Sequence, residues 1–193
     1  MLKKIAIGIA AAIAIVVAVI ATRPATFRVA RTADISAPPE VVFPLVNDFH
    51  QWPQWSPWEK IDPAMKRELS GPDAGVGATY AWTGNDNVGQ GRMTILESKP
   101  SDLIRIKLEF FKPLEATNQA TFSFQPVAGG TRVTWTMDGT NGFVGKAIGL
   151  LMDMDSMIGK SFEEGLTAMK SVAETQSKKR TALTQDGASE RPS

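Results

Sequence analysis

Asn47-Asp48-Phe49-His50-Gln51-Trp52-Pro53-Gln54-Trp55-Ser56-Pro57-Trp58-Glu59 carries three of the chain's five tryptophans. Its prolines forbid a long helix or a central strand. Large rigid aromatics on irregular backbone either roof a core or line a cavity. The flanking segments decide between the two.

Upstream, Phe27 to Ile35 alternates Phe27, Val29 and Arg31 against Arg28, Ala30 and Thr32, which predicts a first strand. Ser36-Ala37-Pro38-Pro39-Glu40 opens a helix with Val41, Val42, Leu45 and Val46 on its apolar face. Pro44 lies inside it, so the helix is expected to be short and bent. Downstream, Lys60 to Leu69 is a weak strand signal, and Gly77 to Thr83 alternates cleanly up to the turn Gly84-Asn85-Asp86-Asn87. Val88 to Ser98, Asp102 to Phe110, Glu115 to Gln125 and Thr131 to Asp138 follow, the last two joined by Gly129-Gly130. Turns this evenly spaced predict one antiparallel meander. Ile104, Ile106, Leu108 and Phe110 share one face, as do Val133, Trp135 and Met137, and the alternate residues are polar. The apolar face needs a cover. Phe143 to about Glu174 supplies it as one helix, with Val144, Ile148, Leu151, Ile158, Phe162, Leu166 and Met169 in a single stripe. The fold class is α+β, a curved antiparallel sheet wrapped around a long C-terminal helix.

The ends read differently from the middle. Lys3 and Lys4 precede an uncharged stretch from Ile5 to Ala21, about 25 Å long as a helix. With Thr22 it is read as a transmembrane anchor over 5–22, after a basic N-terminus of 1–4. A cleaved signal peptide ending near Val19-Ile20-Ala21 is the alternative, although its apolar region typically runs only about 7–15 residues. Residues 23–28 form a linker, 29–176 the folded domain, and 177–193, without apolar period, a disordered tail. Lys3 and Lys4 favour a cytoplasmic N-terminus with the domain outside, an assignment partly offset by Arg23, Arg28 and Arg31. Absence of cysteine excludes disulfides and thiolate chemistry, and a single histidine excludes a multi-histidine metal site. A net charge of +1 carries no nucleic-acid footprint. No metal and no cofactor is expected.

Strand alternation points Tyr80, Trp82, Met93, Phe110, Phe122 and Trp135 inward, together with Asn118. On the helix, Asp155 falls inside the apolar stripe between Leu151, Ile158 and Phe162. A carboxylate there needs a partner. It is either a stripe-edge group reaching water or a strand's polar group, or a polar anchor inside an apolar pocket, with Asn118 as its companion. His50 and Asp155 are the candidate catalytic groups, yet no nucleophile has a spacing that pairs with His50, which reads as a helix-turn residue.

The element order, with Ala37-Pro38-Pro39-Glu40-Val41-Val42-Phe43 and Trp52-Pro53-Gln54-Trp55-Ser56-Pro57-Trp58, resembles the SRPBCC superfamily. That group holds START-related lipid-transfer proteins, polyketide cyclases and Bet v 1 allergens. Gly75 to Trp82, Gly89 to Met93 and Thr131 to Trp135 support the likeness, closest to a membrane-anchored bacterial branch described as polyketide cyclase/dehydrase-like. The resemblance implies a helix-grip fold with a hydrophobic cavity between sheet and helix. The inward residues then become cavity wall or core, with Trp55, Leu151, Asp155, Ile158 and Phe162 joining them around a ligand. The expected function is membrane-tethered binding of a hydrophobic small molecule or lipid at a bacterial inner membrane. The alternatives are a cyclase or aromatase enzyme and a non-catalytic scaffold or stress-related partner protein. The reading leans away from an enzyme. Oligomeric state is not legible.

Overall fold

A computed structural model describes residues 1–151 and 153–189. Leu2–Ala21 forms α1, long and apolar enough to cross a membrane, with only 6% of its apolar window buried. Thr26–Ile35 is β1, starting inside the expected linker, and Pro39–Asn47 is α2. Pro44 is exposed, so the hydrogen bond it removes lies on the solvent side of α2. Two 3-10 turns, Phe49–Gln54 and Pro57–Lys60, carry the tryptophan run. Six strands follow: β2 (Lys66–Ser70), β3 (Thr79–Thr83), β4 (Gln90–Lys99), β5 (Leu103–Lys112), β6 (Ala116–Val127) and β7 (Gly130–Thr140). The seven strands form one antiparallel sheet in the order β1-β7-β6-β5-β4-β3-β2. Register shifts in β4 at Gln90/Gly91 and Ile95/Glu97 help the sheet to curl.

The C-terminal segment differs from the single helix expected from the wheel. It is α3 (Phe143–Leu151) followed by α4 (Met154–Ser189). Asp153, which one continuous helix would place mid-helix, instead caps a new one. Its carboxylate accepts from the Ser156 amide at 3.1 Å and the Ser156 hydroxyl at 2.7 Å. The tail also differs: the helix runs on to Ser189, although its packed side ends at Ala173. Lys, Arg, Gln, Ala and Leu extend a helix already nucleated by packing at little further cost.

An aromatic column joins the turns, the sheet and α4. Trp135 of β7 stacks on Phe162 of α4 with centroids 4.0 Å apart, and meets Trp55 and Trp58 edge-on at 5.6 Å. Gly165 makes room for it, since a Cβ there would sit 2.9 Å from the Trp135 ring. The tryptophan run is held by a second device. The last carbonyls of a helix lack internal donors. Here the indole N–H of Trp55 donates to the Leu45 carbonyl at 2.7 Å and that of Trp52 to Val46 at 3.1 Å. The run therefore closes the end of α2 while its rings enter the core.

Candidate functional site

A cavity of about 220 Å³ lies between the concave face of the sheet and the start of α4. The 3-10 turns contribute Trp52, Ser56, Trp58 and Glu59 to its wall. The sheet contributes Tyr80, Trp82, Met93, Leu108 and Phe110, then Ala120, Trp135 and Met137. Ile158 and Phe162 close it from α4, and Met65, Asn87 and Val88 from the loops. Trp82 lies across β4 because its cross-strand partner is Gly91, where a Cβ would come within 2.4 Å of the indole. Its N–H donates to the Val88 carbonyl at 3.0 Å, which fixes the β3–β4 hairpin against the wall.

One polar constellation interrupts this apolar lining. The Tyr80 hydroxyl donates to Glu59 Oε1 at 2.5 Å, and Arg67 of β2 stands 2.6 Å from Glu59 Oε2. The Glu59 side chain is 7% exposed. The Arg67 guanidinium gives Oε2 its counter-charge, in a contact that is close but not aligned as a hydrogen bond. Burial, and then the Glu59 carboxylate, push the Tyr80 phenol far above its ordinary range, so it stays protonated. In the same wall the buried indole N–H of Trp135 has no acceptor among the described residues. Both atoms are sealed from the cavity as well as from solvent, so they mark a tightly packed polar spot in the wall.

Tyr80, Trp82, Met93, Phe110, Trp135, Ile158 and Phe162 lie in the wall, as strand alternation and the helical stripe place them. Trp55, Phe122, Asn118 and Asp155 do not. Trp55, 1% exposed, is core behind the wall, and Trp52 and Trp58 take the lining role assigned to it. Phe122 is sealed beneath Trp135. Asn118 is buried beside Met137, its Nδ2 4.0 Å from the sulfur. Leu151's side chain lies outside the described residues.

Asp155 corrects the pocket-anchor alternative. It sits on the sheet side of α4, but its carboxylate is 58% exposed and paired with Arg31 at 3.0 Å. Arg31, the polar residue on the inward alternation of β1, reaches Asp155 and Glu163 together. Its guanidinium lies on Gly159, where a Cβ would meet Nη2 at 1.9 Å.

His50 borders a separate polar hollow of about 80 Å³ with Ser70 to Asp73. Asp48 caps the first 3-10 turn through the His50 amide at 2.8 Å and holds the ring Nδ1 at 2.7 Å. Burial raises the Asp48 pKa, but hydrogen bonds from Gln51 and His50 outweigh it and the net shift is downward. No group of three or more His, Asp or Glu among the described residues is placed to hold a metal. Glu59 and Arg67 were missed in the sequence reading because their pairing joins a turn to the edge strand. The one local signal was a carboxylate ending an aromatic run.

The sheet gripped around α4, with a cavity between them, defines a helix-grip protein. Residues 26–174 match the family described as polyketide cyclase/dehydrase and lipid transport, and the chain belongs to that family. Its fold is similar to that of protein CV1439 from Chromobacterium violaceum (TM-score 0.56, 19% identity, covering 79% of this chain and 99% of that one). It is also similar to DynU16 from the dynemicin biosynthetic locus (TM-score 0.54, 17% identity, covering 78% of this chain and 48% of that one). Ara h 8.0201 gives a TM-score of 0.54 at 14% identity, covering 78% and 99%. At these identities the likeness is one of fold. No curated protein matches the chain.

Proposed function

We propose that the chain is a membrane-tethered binder of a hydrophobic small molecule or lipid, held in the cavity between sheet and α4. The observation that carries this reading is an apolar cavity whose wall contains one carboxylate, Glu59, bonded to Tyr80 and backed by Arg67. Apolar walls with a few polar groups suit a ligand held by burial and oriented at one point. Glu59 accepts and does not donate, so the polar end it selects carries a hydroxyl or amide N–H. A carboxylate-ended ligand would meet the Glu59 charge.

The tether reading rests on α1 and on what its last turn touches. Ile20 is buried, and Lys146 of α3 donates to the Ala21 carbonyl at 3.4 Å. A leader removed after export has no reason to pack on the mature domain, so these contacts favour a retained anchor.

The test is native mass spectrometry of the full chain extracted in detergent, beside Ala120→Phe and Leu108→Trp, which fill the cavity from two strands. Wild type is expected to carry a hydrophobic species that both variants lose while keeping their far-UV circular dichroism. Wild type that carries none, or variants that keep it, would refute the reading.

A second reading, a cyclase-like enzyme, draws on one observation. Tyr80 and Glu59 meet at 2.5 Å on the cavity wall, a pair able to hold and move a proton. It requires that Glu59→Gln abolish turnover while the ligand still binds.

A further inference from the structure

α3 is apolar along its whole length except for Lys146, yet none of its described side chains is buried. Phe143 is 53% and Val144 55% exposed. Its neighbour is the last turn of α1. A helix apolar on all sides usually sits inside a protein or in lipid, and the domain does not enclose this one.

The antiparallel register shows what lies beside it. β1 starts where β7 ends, with Thr26 opposite Thr140. The β3–β4 and β5–β6 hairpins turn at the same end of the sheet, as Thr83 pairs with Gln90 and Phe110 with Ala116. That end also presents Phe111 and Leu114, exposed at and beside the β5–β6 turn. Ile61 joins them, because its neighbour Asp62 holds the Asn85 amide of the β3–β4 turn at 2.7 Å. Met157 is exposed in the first turns of α4. Arg23, Lys60, Lys66, Lys112 and Lys146 are the basic residues at this end, with Asp86 and Glu115 the acidic ones in its two turns. Chain geometry then fixes the distance to lipid. Only Thr22 to Ala25 separate α1 from β1, a reach of at most about 18 Å over the five steps from Ala21 to Thr26. If α1 spans a bilayer, this end cannot stand far from its surface.

We infer that α3 and the β5–β6 turn form a docking face that lies in the surface of the bilayer α1 enters. The inference rests on the tether reading above. Apolar side chains enter the headgroup boundary, and the lysines and arginine meet lipid phosphates. Docking turns the Val88, Phe110 and Ile158 end of the cavity toward the membrane.

The absence of native cysteine makes the experiment direct. The full chain, reconstituted in nanodiscs of mixed zwitterionic and anionic phospholipid, carries one fluorophore at Phe111→Cys, Leu114→Cys, Phe143→Cys, Ile13→Cys or Val76→Cys. Val76 is an exposed apolar residue of the β2–β3 loop, at the opposite end. Quenching by headgroup-proximal spin-labelled lipid is expected at least threefold stronger at 111, 114 and 143 than at 76, with 13 quenched by deep labels. An Ile13 probe in lipid with 111, 114 and 143 quenched like 76 overturns the docking face alone. An Ile13 probe outside lipid overturns the tether and the docking face together. Probes at 111, 114 and 143 that are shielded from water yet not quenched by lipid place a protein on this face and also overturn the inference.

Discussion

The Glu59–Arg67–Tyr80 and Arg31–Asp155–Glu163 clusters both pair an arginine with a carboxylate and differ in where that carboxylate stands. In the first, Glu59 and Tyr80 line the cavity wall, while Arg67 behind them is 35% exposed. The second straps the flank of α4 to β1, with its carboxylates 58% and 61% exposed. Both lie on the sheet side of their elements. Facing inward is therefore not sufficient to make a carboxylate part of a site. What separates the two is water. Asp155 keeps most of its solvation and a well-aligned partner, whereas Glu59 has lost its solvation and keeps one oxygen without a donor.

Removing the inner carboxylate should break this comparison most sharply. Glu59→Ala strips Tyr80 of its acceptor inside the wall and Arg67, behind it, of its counter-charge. Loss of buried polar partners costs about 1–3 kcal/mol, and Arg67's partial access to water keeps the effect in that range. The expected outcome is a lower urea midpoint at unchanged slope, so that the loss is one of stability and not of compactness. A midpoint equal to wild type would mean that the cluster is as solvated as the outer one.

The inner cluster should also reveal itself through Tyr80, the chain's one tyrosine. Its folded pKa is raised above its unfolded value, first by burial and then by Glu59. The sign follows. The stabilisation is complete below about pH 10, where an unfolded tyrosine is neutral. It is lost as pH rises above that value, because only the unfolded chain releases the proton. Tyrosinate absorbance should stay absent through the ordinary range and appear together with unfolding. In Glu59→Gln the carboxylate's contribution disappears while burial remains, so the phenol should titrate earlier. An ordinary titration in wild type would place the hydroxyl in water.

Strand alternation made most of the cavity wall legible because each inward position on β3, β4, β5 and β7 depends on neighbours two residues away. The break before α4 was not legible. Asp153 suits a solvated helix face as well as an N-cap, and only its bonds to Ser156 decide. Arg31 was visible on the inward alternation of β1, but its partners lie more than a hundred residues away on α4. Trp55 was given the lining role because periodicity says nothing about a 3-10 turn. Its place depends on the carbonyl it serves, that of Leu45.

The smallest effect belongs to the outer cluster and sharpens the contrast by its sensitivity to salt. Asp155→Ala leaves Arg31 its bond to Glu163 at 2.7 Å and its own access to water. Exposed ion pairs contribute little and are screened within roughly 3 Å at 1 M salt. The variant's denaturation midpoint should fall less than that of Glu59→Ala, and the difference from wild type should shrink further in 1 M sodium chloride. Occupancy of the cavity, read by the same native mass spectrometry, should not change, because no Asp155 atom lies in the wall. Loss of the bound species in Asp155→Ala, with helix content intact, would return this residue to the site and erase the distinction between the two clusters. The deficit of Glu59→Ala should survive the same salt better, because the Glu59 carboxylate is only 7% exposed and part of the loss is the bond from the uncharged Tyr80 hydroxyl.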